Sequence, residues 1–198
     1  MKVNWPERLW VNSPVRRFVQ QREAVFFKRL HSLPSGGRYL EIGCGCGVGA
    51  GIIWGSFAPS AIYALDIDTG MLQTAKRKTA NWQSDRLHLL AADAQQLPFA
   101  ENTFDAVFNY GIIHHLEDWQ QGIAETARVL KNKGVFYFEE IYPPLYANFL
   151  LRHIVVHPRE NRFHGPQYRA ALEGSALRLL GGYKESRFAI LGAAVKEE

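Results

Sequence analysis

Glu41-Ile42-Gly43-Cys44-Gly45-Cys46-Gly47 is the stretch on which the fold turns: it closes a short apolar run, Arg38 to Ile42, and opens a helical pattern through GAGIIWGSF. Glycines at alternate positions let the backbone turn sharply and let a ligand approach the main chain without meeting a Cβ atom. The spacing predicts a loop between a strand and a helix, shaped for a flat, nucleoside-like ligand. A dinucleotide fingerprint, G-x-G-x-x-G, would put its third glycine at residue 48, which is Val48, so pyrophosphate binding is disfavoured. Glu41, two positions before the first glycine, points the same way. Its carboxylate would repel a pyrophosphate and attract an ammonium or sulfonium group.

Outward from this loop the chain alternates apolar runs with helical patterns: AIYALDI, then MLQTAKRKTANW; LHLLAAD, then a loop; FDAVFNYG, then WQQGIAETARVL; and finally GVFYFEEI. This rhythm predicts a doubly wound, mostly parallel α/β sheet with right-handed crossovers and a ligand beyond the carboxyl ends of the strands. Ala61 to Leu65 and Val135 to Phe138 show no inside/outside alternation, as strands covered on both faces should not. Before the loop, Val15, Phe18, Val19, Val25, Phe26 and Leu30 recur at helical spacing, which predicts one or two helices over 3–33, ended by Pro34, Ser35, Gly36 and Gly37. After Ile141 the prolines 143 and 144 lead into an apolar helical stretch (Leu145, Phe149, Leu150, Ile154, Val155), read as an inserted cap. Two strand-like segments, around 176–180 and 188–195, are expected to form an antiparallel edge hairpin. The expected organisation is a single domain over residues 1–198: N-terminal helices 3–33, a cofactor-binding core 37–141, and a cap and C-terminal hairpin 142–198.

Apolar residues make up 47% of the chain and charged residues 21%, the balance of a soluble globular protein rather than of a disordered or fibrous one. Cys44 and Cys46 are the two cysteines, two positions apart; a disulfide between them would be badly strained, and a structural zinc needs more ligands. They read as reduced thiols of a cytoplasmic protein. The N-terminal residues lack the pattern of an export signal, and no apolar run approaches the ~20 residues of a membrane span. The net charge of +4 suits an acidic substrate or simply keeps the protein soluble, the plainer explanation.

Carboxylates recur where the predicted strands end. Asp66 lies 21 residues after Gly45, where it can accept hydrogen bonds from both hydroxyls of a ribose. Asp68 follows on the opposite side of an extended segment from Ile67, and Asp66 is the better candidate by its place at the strand terminus. Asp93, in LLAADAQQLPF, is placed to receive the exocyclic amine of an adenine while the amide of Ala94 meets a ring nitrogen. A lone acidic residue at a strand end is often only a helix cap or a turn residue; three at successive strand ends point to a ligand.

At these residues the sequence resembles the class I S-adenosylmethionine-dependent methyltransferases, particularly the broad group that includes small-molecule and quinone-biosynthesis enzymes. The resemblance covers residues 37 to 141 through LEIGCGCG, ALDID, AADAQQLPF and FDAVFNYGIIHHLEDW followed by ARVLKNKGVFYFEE. It implies a seven-stranded sheet with the last strand antiparallel and S-adenosylmethionine as cofactor. Gly43 to Gly45, with Cys44 between them and Glu41 before, would lie against the methionine part. Asp66, followed by Ile67, would hold the ribose, and Asp93 with Ala94 the adenine. Asn109 and Tyr110 would border the methionine moiety and the reacting sulfur. In KNKG, Asn132 and Lys133 stand where the family has the proline and first glycine of a KPGG-like turn. The acceptor region, 142–175, matches no shared pattern.

A sulfonium is already an excellent leaving group, so holding a nucleophile in line and excluding water can supply much of the catalysis. If the acceptor needs a base, the candidates are His114, His115, Glu139, Glu140 and Tyr142, with His115 preferred. The segment HPRENRFHGPQYR gathers His157, Arg159, Arg162, His164 and Arg169 with Phe163 and Tyr168; it suits an anionic or aromatic acceptor, or RNA, or a surface loop whose arginines pair with nearby acids, the preferred reading. The NPPY-type motif of DNA-amine methyltransferases is absent at 109–112, which read NYGI, so a small-molecule substrate is expected rather than nucleic acid. Two other functions compete: a nicotinamide-dependent oxidoreductase, disfavoured by Val48 and Glu41, and a non-catalytic nucleoside-binding protein on the same fold. Neither the oligomeric state nor the acceptor atom is legible in the sequence.

Overall fold

The carboxyl ends of five parallel strands form one rim of the molecule in the computed structural model, which describes residues 4–82, 85–146, 158 and 160–198. These strands are β1 (Arg38–Ile42), β2 (Ala61–Asp66), β3 (Leu87–Ala91), β4 (Phe104–Tyr110) and β5 (Leu130–Ile141). Three more follow: β6 (Leu177–Leu179), β7 (Lys184–Glu185) and β8 (Ala189–Lys196). The order across the sheet is β3-β2-β1-β4-β5-β8-β6, with β7 pairing to β8 off this path. The sheet therefore has eight strands, one more than the resemblance implies, through the two-residue β7. The expected antiparallel edge pair is present, with β6 at the sheet edge against β8. β8 runs antiparallel between β5 and β6, pairing Val135 with Val195 and Arg178 with Val195, because Ile190, Ala193 and Ala194 are fully buried and need a neighbour on each side.

Alternate residues of a strand face opposite sides, and both sides here are apolar. Leu40, Val107, Phe136 and Phe138 pack on one face against α5 (Trp119–Val129) and α7 (Gly165–Gly174). Tyr39, Ala106, Phe108 and Tyr137 pack on the other against α2 (Pro14–Leu30) and α3 (Val48–Phe57). This double cover explains the missing alternation in the sequence. The remaining helices among the described residues are α1 (Trp5–Val11), α4 (Thr69–Lys78) and α6 (Pro143–Tyr146), with one 3-10 turn at Ile113–His115.

The N-terminal helices form where the periodicity puts them, and the Ser13 hydroxyl accepts the Arg16 N–H to cap α2. Part of the apolar pattern faces outward: Val15, Phe18 and Val25 are exposed, whereas Arg16, Gln20, Glu23, Ala24 and Phe27 are buried, Ala24 and Phe27 against the sheet and Arg16 and Gln20 along a crevice. After α6 the expected cap, with Phe149, Leu150, Ile154 and Val155, lies outside the described residues, as do His157 and Arg159. Phe163 and Tyr168 belong to the core, and Arg169 pairs with Glu185.

The KNKG turn sits inside β5 as an irregularity, where pairing with β4 jumps from Phe104 with Leu130 to Ala106 with Val135. Lys133 there has φ +66, a left-handed conformation that costs a non-glycine residue about 1 to 2 kcal/mol. Lys133→Gly is expected to stabilise the protein by about 0.5 to 1 kcal/mol once the extra backbone freedom of glycine is subtracted. Urea denaturation checks this; an unchanged or lower midpoint would contradict it. Glycine also removes the Lys133–Glu198 ion pair, which spans 3.7 Å between exposed groups and so contributes little.

Candidate functional site

A crevice of about 980 Å³, counting its open mouth, lies beyond the ends of β1, β2 and β4. Its floor is the glycine loop. Gly43, Gly45 and Gly47 have φ values of +70, +51 and +82, the left-handed region that favours glycine. At Gly43 space is the second constraint, since a Cβ there would stand 2.2 Å from Cγ2 of Ile112.

Asp66 fixes this loop to β2. Its Oδ2 accepts the Gly45 N–H at 2.8 Å and its Oδ1 accepts the Asp68 N–H at 2.8 Å. Each oxygen keeps a further lone pair for a ligand, and burial pushes the carboxyl above its usual range. Asp68 is occupied otherwise. It caps α4 by accepting from the Gly70 and Met71 N–H groups and pairs with Arg8. Ile67, Asp93 and Ala94 line the crevice beyond, and Asp93 is oriented by the Gln95 N–H at 2.9 Å.

Glu41 is buried against the loop, and burial, with Asp66 nearby, pushes its carboxyl up to about 8. The Ala50 N–H opposes that shift. Its Oε2 has no hydrogen-bond partner among the described residues, and neither has the Tyr110 hydroxyl nor Oε1 of Gln20. All three residues line the crevice. Buried polar atoms without partners are rare in folded proteins, so three around one crevice mark a place where a ligand or solvent must supply donors. Cys44 also lines it, but burial and then Glu41 raise its thiol well above the ordinary range, which makes it an inert wall rather than a nucleophile. Cys46 is a free thiol 3.0 Å from Nζ of Lys78.

Of the expected site residues, Asn109 is the one that the structure places elsewhere. It is fully buried, donates from Nδ2 to Oε1 of Glu140 at 2.6 Å, accepts the Ile112 N–H at 2.9 Å, and does not line the crevice. Adjacent residues of a strand face opposite ways, so with Tyr110 turned to the crevice Asn109 turns away. The five base candidates separate just as clearly. Glu140 accepts the Ile113 N–H at 2.7 Å and lies 2.6 Å from Nδ1 of His114. Glu139 is paired with Arg16 at 2.8 Å, and Tyr142 donates to Glu185 at 3.0 Å. Only His115 of the five lines the crevice.

Sequence reasoning missed the wall contributed by the N-terminal helices, Val11, Arg16 and Gln20. Arg16 donates to Glu23 and Glu139, each at 2.8 Å, and to the Tyr110 carbonyl at 3.1 Å. It thereby ties α2 to the ends of β4 and β5. The signal was present as Arg16, Gln20 and Glu23 at intervals of four and three, a polar stripe opposite the apolar one.

A family model described as a methyltransferase domain matches residues 40–138. A fatty-acid O-methyltransferase of Mycolicibacterium smegmatis is 29% identical over 145 residues, covering 73% of this chain. The chain spans 45% of that relative's own length. Among solved structures, the protein bound to the Trm112 methyltransferase activator of Haloferax volcanii superposes with a TM-score of 0.78 at 17% identity, over 98% of this chain and 95% of that one. The N-methyltransferase NodS of Bradyrhizobium japonicum, solved with S-adenosyl-L-homocysteine, gives 0.72 at 18% identity, over 96% and 91%. Among the described residues no helix is long and apolar enough to cross a membrane.

Proposed function

The chain belongs to the methyltransferase-domain family, the class I S-adenosylmethionine-dependent methyltransferases, and on that premise we propose that it binds S-adenosylmethionine in the crevice and directs methyl transfer to a small apolar acceptor carrying a carboxylate oxygen. The observation that carries this reading is the set of acidic and unpartnered polar groups around the glycine loop. Glu41, Gln20 and Tyr110 offer acceptors for an ammonium, Asp66 offers its remaining lone pairs to a ribose, and Asp93 with Ala94 suits an adenine edge. The alternating glycines of the loop between them leave room for the chain that joins these parts. Bound S-adenosylmethionine supplies a methyl group on a sulfonium that leaves readily.

The lining of the crevice supports this acceptor class. Val11, Ile112 and Leu116 give the crevice an apolar lining, and of the five base candidates it is His115 that lines it. A carboxylate, ionised at neutral pH, needs no base at all. The fatty-acid O-methyltransferase relative supports the same class. His115 would then orient the acceptor oxygen rather than deprotonate it.

Calorimetry with S-adenosylmethionine, S-adenosylhomocysteine and NAD tests the cofactor assignment: binding of NAD alone would overturn it. Asp66→Ala is expected to weaken S-adenosylmethionine binding about ten- to a hundredfold, ~1.5 to 3 kcal/mol, by removing two charged acceptors and loosening Gly45. An unchanged dissociation constant in a folded variant would contradict the ribose role. Release of S-adenosylhomocysteine with medium- and long-chain carboxylic acids, and not with amines, tests the acceptor.

A further inference from the structure

We propose that the outward face of α1 and α2 docks on an anionic lipid surface. Five of the eight large apolar side chains exposed among the described residues lie on these two helices: Leu9, Trp10, Val15, Phe18 and Val25, each more than half exposed. At about 100° per residue, Phe18 and Val25 share the middle of the exposed arc of α2. Arg17 and Lys28 flank them on one side and Arg22 and Arg29 on the other, and all four are exposed. No acidic residue shares that arc, because Glu23 is turned inward to Arg16. None of these four cations is in an ion pair among the described residues; Arg22 lies over the Phe18 ring and the Lys28 ammonium over that of Phe57.

The charge pattern selects the occupant. Apolar and aromatic anchors bordered by cations, on a helix whose exposed charges are of one sign, match the interface of a bilayer containing anionic lipid. A second copy of this chain would bring the same unpaired cations against each other. The face is convex helix surface, suited to inserting side chains between lipids rather than to receiving a partner's knobs. Membrane docking of this kind is independent of the cofactor, yet it fits the acceptor reading, since Val11, Arg16 and Gln20 of the same helices line the crevice.

Cosedimentation of the full chain with vesicles tests the proposal without any cofactor. Binding is expected to vesicles containing about one third phosphatidylglycerol, to fall steeply with added salt, and to be at least ~10-fold weaker with phosphatidylcholine alone. The pair Arg17→Glu and Arg22→Glu, and separately the pair Trp10→Ala and Phe18→Ala, should each lower partitioning at least ~10-fold. The pair Lys76→Glu and Arg77→Glu, exposed on α4, makes the same change in net charge and should leave binding near the wild-type level. Absence of binding to the mixed vesicles, an equal loss from the α4 pair, or undiminished binding by α2 variants that circular dichroism shows folded would each overturn it. So would sedimentation showing that the face instead joins two copies, or tight capture of an acidic carrier protein by a chain that ignores vesicles.

Discussion

Replacing Glu140 by alanine is expected to destabilise the protein by about 3 to 5 kcal/mol, the range for removing one member of a buried, hydrogen-bonded charged group. The carboxylate is fully buried. It receives Nδ2 of Asn109 at 2.6 Å and the N–H groups of Ile113 and His114 at 2.7 and 3.3 Å, and it faces Nδ1 of His114 at 2.6 Å. Alanine would leave these donors in an apolar core, each unmade bond costing about 1 to 3 kcal/mol, with water entry and relaxation recovering part. The damage would not stop at stability. The turn that Glu140 holds carries Gly111, Ile112 and His115, one whole wall of the crevice. Glu140→Gln keeps an acceptor but turns an NH2 toward a donor, so it should fall between wild type and alanine. Urea denaturation and cofactor calorimetry check both variants; a wild-type midpoint for Glu140→Ala would show that the carboxylate does not hold the turn.

Glu140 also marks the boundary of what the sequence makes legible. The parallel core is readable because its determinants are local: apolar runs covered on both faces, alternating glycines at 43, 45 and 47, and acidic residues at the ends of β2 and β3. The place of β8 beside β5 depends instead on a pairing of residues some sixty positions apart, such as Val135 with Val195; its local pairing with β6 is legible in the sequence, and its second neighbour is not. At Asn109 and Tyr110 the alternation of a strand guarantees that one faces the crevice and the other does not, without saying which. At α2 hydrophobic periodicity finds the helix, but Val15, Phe18 and Val25 face outward while Arg16, Gln20 and Glu23 turn inward, because Arg16 pairs there with both Glu23 and Glu139.

Glu41 yields the strongest pH dependence. In the free protein its carboxyl is raised from 4.5 to about 8, so between these values the folded chain keeps a proton that the unfolded chain has released. Stability then declines with rising pH, because the unfolded state binds fewer protons. The Glu41 contribution is complete below pH 4.5 and is lost as the pH climbs through 8, at up to about 1.4 kcal/mol per pH unit within that window. Glu23, raised to about 7 by burial and by Glu139, adds to the same trend, so Glu41→Gln should flatten the slope and not abolish it. Cation binding reverses the preference. An ammonium beside Glu41 favours the carboxylate, so binding near pH 7 should expel a proton, and affinity should rise with pH, approaching tenfold per unit below 8. Titrations in two buffers of different ionisation enthalpy read the released proton directly. Wild type should give buffer-dependent heats, and Glu41→Gln should bind more weakly with heats that the buffer does not change. Buffer-independent heats for the wild type would mean that the cationic end of the ligand does not meet Glu41, and the orientation proposed for S-adenosylmethionine in the crevice would have to be reversed.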